Sequence, residues 1–320
     1  MSKYHTLPLD FDGLRTVSIE ARGGKVRTEH FGQTHKPGKT VLDLVASLPR
    51  LLAADSLRGV IEAVLNAKAK GKPIIWGMGG HVIKCGLAPV LIDLMQRKLA
   101  TAFAMNGSAA IHDFEIAIAG CTSEDVEAVL PDGSFGAAEE TGREVNNALI
   151  EAGRFESGFG ESVGRHLQRL AKPGYREQSL LHEAYQALVP ITVHVAIGTD
   201  TPHTHPRVDP ASLGAATHRD FRLFCSLVRE MNDGGVYLNV GSAVVMPEVF
   251  LKAVSVVRNL GHELKNFNTV NFDFLQHYRP SANVVNRPHA GGAGGKGYSI
   301  TGHHEIMIPL LAAALVECEG

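Results

Sequence analysis

Pro73-Ile74-Ile75-Trp76-Gly77-Met78-Gly79-Gly80 is a short apolar run that stops in glycines. It reads as a buried strand running into a turn. After it, Leu87, Val90, Leu91, Leu94 and Met95 recur at i, i+3, i+4, i+7 and i+8, one apolar stripe of a helix. Pro89 falls in the first turn, where its missing N–H costs no helical bond. Ala100-Thr101-Ala102-Phe103-Ala104-Met105 is a continuous apolar run, as expected of a strand covered on both faces. It breaks at Asn106-Gly107-Ser108, and a further helix carries Ile111, Phe114 and Ile118. Strand, helix, strand, helix predicts an α/β protein: a parallel sheet with helices on both faces.

The same pattern extends outward. Asp55-Ser56 is placed to cap a helix running to about Lys70, where Gly71-Lys72-Pro73 stops it. Residues 1–45 carry the turn signals Gly23-Gly24 and Lys36-Pro37-Gly38-Lys39 and read as an N-terminal extension over the main body. Residues 121–188 read as polar helices broken at glycines, with a helix start at Thr122-Ser123-Glu124-Asp125. The sheet pattern resumes at Pro190 to Ile197. A helix near 212–231, a strand Val236 to Val240, a helix near 247–260 and a strand Asn268 to Phe272 follow. A glycine-rich loop at 290–297 and a last apolar helix opening at Glu305 close the chain. With no repeat and no low-complexity linker, residues 46–320 are expected to form one α/β domain.

Composition narrows the function classes. A chain of 320 residues can bury about 75% of its unfolded surface and needs no disulfide or metal staple. The 31 Lys+Arg against 33 Asp+Glu give a net charge of −2, which argues against a nucleic-acid binder. Charged residues make up 20%, below the usual ~25%, as suits a large core or a buried oligomer interface. Cys85, Cys121, Cys225 and Cys318 form no C-x-x-C pair, so neither a disulfide framework nor a zinc ribbon is expected. A reducing cytoplasm is the simplest compartment. The N-terminus lacks the apolar stretch of a signal peptide. No run approaches the ~20 apolar residues of a membrane span.

In a doubly wound sheet, ligands bind beyond the carboxyl ends of the strands. Four such ends carry small or polar residues: Gly77-Met78-Gly79-Gly80, Asn106-Gly107-Ser108, Gly198-Thr199-Asp200 and Gly241-Ser242-Ala243. Glycine lets a ligand approach the backbone, and helix N-termini favour phosphate, so the four together predict a dinucleotide crevice. No G-x-G-x-x-G follows the first strand. The 16 histidines supply further candidates. His203-Thr204-His205, after a strand and flanked by prolines, can present two imidazoles to a metal such as zinc or supply a general base. His112-Asp113 at a helix start can bond a ribose or a substrate amine, or Asp113 can cap the helix. Lys296, in Gly294-Gly295-Lys296-Gly297, can reach an imine or a phosphate if its pKa is lowered. Glu305 caps the last helix or faces a cationic amine. Arg279 or Arg287 can hold a carboxylate or phosphate by a two-pronged fork.

These blocks carry a family resemblance. Gly79-Gly80-His81-Val82-Ile83-Lys84-Cys85-Gly86-Leu87 and Met105-Asn106-Gly107-Ser108 resemble the cofactor-binding turns of deoxyhypusine synthases. His112-Asp113 resembles a Thr-His-Asp-like stretch of archaeal members. Val189 to Asp200 is similar to the strand ending in a Thr-Asp-Gly turn, and Gly241-Ser242-Ala243-Val244-Val245 to the Gly-Gly-Gly-Val-Val turn. Ile308-Pro309-Leu310-Leu311 resembles the terminal Phe-Pro-Leu-Leu helix. The resemblance spans roughly residues 50–315. It implies a Rossmann-like sheet, NAD as cofactor, and a homotetramer with sites shared across a dimer interface. It also implies oxidation of a polyamine followed by transfer through a lysine imine.

The departures are local. The family's lysine segment is missing; its position falls near His289 or Ala290, and the nearest lysine is Lys296. The family's histidine after the Gly-Gly-Gly-Val-Val turn is replaced around Glu248. Its adenine-contacting pair falls at His303-His304. The expected function is therefore NAD-dependent transfer or redox chemistry on a small amine or amino-acid-like substrate. In that scheme His203 or His205 takes the proton and Lys296 holds the imine. The alternatives are a metal-dependent hydrolase or lyase built on His203 and His205, and a non-catalytic nucleotide-binding homologue.

Overall fold

The computed structural model describes residues 3–319. Residues 3–40 are almost wholly exposed and carry one 3-10 turn, Thr28–His30. Backbone bonds from Gln33 N to Ser47 O and from Arg50 N to His30 O tie the end of this stretch to the main body. The helices are α1 (Val41–Ser47) and α2 (Leu52–Ala69), then α3 (Gly80–Lys84) and α4 (Ala88–Gln96) after strand β1 (Ile74–Met78). Strand β2 (Ala102–Asn106) leads into α5 (Gly107–Ala119), α6 (Val126–Val129), α7 (Glu139–Phe155), α8 (Phe159–Leu170) and α9 (Leu180–Gln186). Then come β3 (Ile191–His194), α10 (Pro210–Glu230), β4 (Val236–Val240), α11 (Val245–Asn259) and β5 (Asn268–Asp273). The short α12 (Tyr278–Pro280), β6 (Gly297–Thr301) and α13 (His304–Glu317) complete the chain.

All six strands are parallel, in the order β3-β2-β1-β4-β5-β6. This is the doubly wound order, with its switch point between β1 and β4. Alternation along β1 divides the core. Ile74, Trp76 and Met78 join the apolar cluster that includes Val60, Leu91, Phe114 and Leu311, from α2, α4, α5 and α13. Ile75 joins Phe224, Val228, Phe250 and Val254 from α10 and α11 on the other face. A Cβ on Gly77 would lie 2.2 Å from the Tyr237 hydroxyl of neighbouring β4, so this glycine makes room for a ring stacked on Phe250 at 4.0 Å.

The fold class expected from the sequence is the one observed. Three local expectations are corrected. The second helix begins at Leu52, which puts Asp55 inside its first turn instead of at its cap. A separate one-turn helix, α3, precedes α4, because Gly86 takes φ +76 and breaks the run. Gly297, read as the end of the glycine-rich loop, instead opens β6 (residues 297–301) at the sheet edge, where Tyr298 and Ile300 alternate inward.

Candidate functional site

Parallel pairing sets the carboxyl ends of β1, β2, β3 and β4 along one sheet edge, so the four small-residue segments gather there. Their glycines, however, mostly make room for the protein's own atoms. A Cβ on Gly79 would lie 2.2 Å from the Gly241 carbonyl oxygen, so two turns cross at the switch point with no space between them. Gly80 is filled by the Ser108 hydroxyl, Gly107 by the Asp200 carboxylate, and Gly241, at φ +62, by the His304 ring. Gly198, at φ +90, alone among these has nothing within 4 Å. Asn106 caps α5 through its side chain, which accepts from Ala109 N at 2.9 Å.

Beyond β2 and β3 the edge opens into a cleft of about 810 Å³. Ser108, His112 and Glu115 of α5 line one wall, Thr199, Asp200 and Thr201 another, and Lys84 and Lys172 the rim. Asp200 is buried, and its Oδ2 has no hydrogen-bond partner. Burial pushes its pKa up to about 6. Thr199 opposes that shift, but a buried carboxylate in a cleft wall with one oxygen unpartnered is costly to keep and suits a cationic ligand.

His112, also in the cleft lining, is held in a fixed tautomer. Its Nδ1 lies 2.7 Å from Thr122 Oγ1, and the Thr122 hydroxyl donates to Glu115 Oε2 at 2.5 Å. Thr122 has only one proton to give, so it accepts from His112 Nδ1–H, which leaves Nε2 as a proton acceptor. Glu115 is held in turn by the Thr141 hydroxyl at 3.0 Å. Burial holds the His112 pKa below its ordinary value, Glu115 opposes the shift, and Lys84 adds to it. A neutral imidazole oriented through a hydroxyl by a carboxylate is arranged as a general base. Of these groups the sequence pointed to His112 and Asp200. Glu115 was within reach, since i, i+3 spacing puts it on the His112 face of the helix. Thr122 and Thr141 come from other elements.

At the other side of the switch point is a group of rings. His304 is buried, with Nε2 3.2 Å from the Phe272 carbonyl and Nδ1 unpartnered. His81 meets it edge-on at 5.7 Å between centroids. Phe274, 47% exposed, lies parallel to exposed His303 at 6.1 Å. Ser242 is turned inward, accepting from Met246 N. Two exposed ring faces, an orphaned buried imidazole nitrogen and open Gly198 farther along the edge fit a dinucleotide laid across the strand ends. The crossed turns at Gly79 and Gly241 leave no glycine cradle for its diphosphate.

The remaining candidates lie elsewhere. Lys296 sits just before β6, at the amino edge of the sheet, opposite the cleft; its backbone N–H donates to Asn268 and its ammonium lies 4.8 Å over the Tyr298 ring. This corrects its expected place beside the site. The missing signal was β6, whose direction carries the glycine loop to the far edge. His203 and His205 bond mainly within their own loop and to α7. His205 Nδ1 accepts from Arg207 N, its Nε2 pairs with Glu139 at 3.2 Å, and His203 Nδ1 accepts from Gly198 N. Neither lines the cleft, and among the described residues they join no group of three metal-ligating side chains. Asp113 is wholly buried and accepts from Ser179 Oγ, Leu180 N and Leu181 N, so it clamps the start of α9 instead of meeting a ligand. Glu248 and Arg287 belong to a different cluster. Glu248 pairs with Lys252 and Arg279 and accepts from Asn283, which also binds Arg287. Glu305 lies in the first turn of α13, near Cys85 and His303.

No family model matches the sequence, and no curated protein matches it. Among solved structures, a provisionally assigned deoxyhypusine synthase from Entamoeba histolytica is similar at 12% identity and a TM-score of 0.50, over 88% of this chain and 95% of that one. Unliganded AgrE is similar at 15% identity and a TM-score of 0.50, over 89% of this chain. A mutant of AgrE in complex with L-arginine gives 14% identity and a TM-score of 0.50, over 82% of this chain. This chain spans only about a third of the AgrE length, 34% and 33% in the two cases. At these identities the likeness is one of fold: a six-stranded, all-parallel Rossmann-like sheet wrapped by helices on both faces, the fold it shares with the Entamoeba protein.

Proposed function

We propose that this protein carries out NAD-dependent redox or transfer chemistry on a small amine or amino-acid-like substrate bound in the cleft beyond β2 and β3. The observation that carries the proposal is the buried Asp200 carboxylate, whose Oδ2 has no hydrogen-bond partner, in the lining of the cleft that also holds His112. The dinucleotide lies over the strand ends toward Phe274, His303 and His304, with His81, Gly198 and Thr199 along its course. When bound, NAD supplies a hydride acceptor.

The chain's own residues do the rest. Asp200 pairs with the substrate's ammonium, and Glu115, Glu124 and Glu140 make the cleft acidic, which favours a cation. Lys84 and Lys172 at the rim can hold the carboxylate of an amino acid. His112 Nε2 takes the proton from nitrogen as hydride leaves the adjacent carbon, and Thr122 and Glu115 stabilise the resulting imidazolium. This places the base at His112 instead of His203 or His205, and no step uses Lys296. The doubly wound fold and the deoxyhypusine synthase resemblance support the cofactor. The fold shared with AgrE, one mutant of which binds L-arginine, supports the substrate class. A homotetramer and a cytoplasmic location belong to the same proposal, on the resemblance and the low charge share.

The test offers the purified protein NAD with single diamines, polyamines and basic amino acids. Reduced nicotinamide should appear with at least one of them and in proportion to enzyme. Absence of amine-dependent reduction across that panel, with NAD bound, would restrict the protein to a binding role.

A further inference from the structure

We propose that His81, Cys85 and Glu305 form a binding site for a zinc-class divalent cation. His81 and Cys85 are four residues apart along α3 and its C-cap, which puts both side chains on one face. Glu305 comes from the first turn of α13, at the other end of the sequence. One ligand atom from each lies within 4.8 Å of the other two, and Cys85 Sγ is 3.7 Å from Glu305 Oε2. Among the described residues this is the one group of three or more such side chains brought together.

The geometry is close to what the metal needs. Zinc bonds of about 2.0–2.3 Å in a tetrahedron put ligand atoms roughly 3.3–3.8 Å apart. His81 and Glu305 are both exposed, so rotation of their side chains closes the remaining ångström. The elements beneath are fixed. The turn before α3 is wedged against Gly241, and His304, next to Glu305, is buried behind it. One imidazole, one thiolate and one carboxylate select a zinc-class ion over magnesium or calcium, which prefer oxygen alone. Three protein ligands leave a fourth position for water or for His303, whose Nδ1 is 3.8 Å from Glu305 Oε1. On binding, the Cys85 S–H bond gives its proton to solvent and the sulfur pair forms the metal bond; nothing is oxidised or reduced. The site is separate from the His203–His205 loop, and it shares His81 with the proposed course of the dinucleotide, so the titration is done without dinucleotide.

Full-length protein, freed of metal by a chelator, is titrated with Co²⁺ and then with Zn²⁺. A thiolate-to-cobalt charge-transfer band should grow to one equivalent and vanish as zinc displaces cobalt. Cys85→Ser should abolish the band. His81→Ala and Glu305→Gln should each weaken cobalt binding by at least about 100-fold, beyond the effect of an outer-shell partner. His203→Ala should leave it intact. A second measurement needs no variant: Zn²⁺ should protect Cys85 from alkylation selectively over Cys121 and Cys318, both exposed. No band at saturating cobalt, a band that survives Cys85→Ser, or equal alkylation of Cys85 with and without zinc would overturn the proposal.

Discussion

His112→Gln is expected to slow turnover by about 10²–10⁴-fold while NAD still raises the melting temperature. The substitution keeps a polar side chain that can reach Thr122 but removes the one nitrogen left free to accept a proton. The cleft wall is preserved, because α5 is anchored by Phe114 in the core and Asp113 under α9. The pH profile gives an independent readout. The rate should rise with pH through a value below that of an ordinary histidine, since burial lowers the His112 pKa. Thr122→Val, which removes the hydroxyl relay but not the ring, should retain part of the activity. A loss under about tenfold in His112→Gln would move the base elsewhere.

Asp200→Asn should separate stability from function. The folded pKa is about 6, against about 3.9 for an unfolded aspartate. Between those values the folded state holds the extra proton, so the contribution of this group is fully present below about pH 4 and is lost as pH rises to about 6. Asparagine carries no charge to bury. The variant should therefore be more stable than the parent at pH 8, by up to about 3 kcal/mol, and the gain should vanish near pH 4. Asp113 and Asp220 are buried with raised pKa values too, so the difference between variant and parent, not the parent's slope alone, isolates Asp200. Loss of the charge partner should cost on the order of 100-fold in kcat/KM for a cationic substrate. Equal melting temperatures at pH 8 and unchanged kinetics would show that the carboxylate is neither strained nor used.

The parts of this fold that were legible in the sequence are those dictated by short-range pattern. The β1 and β2 runs are buried on both faces and α4 carries one apolar stripe, each within a short window, and each appears within a few residues of its expected bounds. The glycines at the strand ends were equally visible, but their reason was not. Gly79 faces a carbonyl 162 positions along the chain, a contact only the sheet order creates. Strand β6 was hidden because it follows a glycine-rich stretch and has only two inward apolar residues. Missing it also placed Lys296 at the wrong edge, since nothing nearer in sequence gives the direction of the chain there. The histidine pair at 203 and 205 drew attention by spacing alone, whereas His112 has the useful surroundings, assembled from α5, Thr122 and α7. His81, Cys85 and Glu305 were out of reach as a set, because 220 positions separate Cys85 from Glu305.

The most direct measurement is the melting temperature of the full-length protein against NAD and NADP concentration. A ligand bound only by the folded state adds about 2.7 kcal/mol at 100 times its dissociation constant, which moves the transition by a few degrees. Such a saturable rise is expected with one of the two dinucleotides, and it should be retained in His112→Gln. A melting temperature unmoved by millimolar NAD and by millimolar NADP would contradict dinucleotide binding at the strand ends.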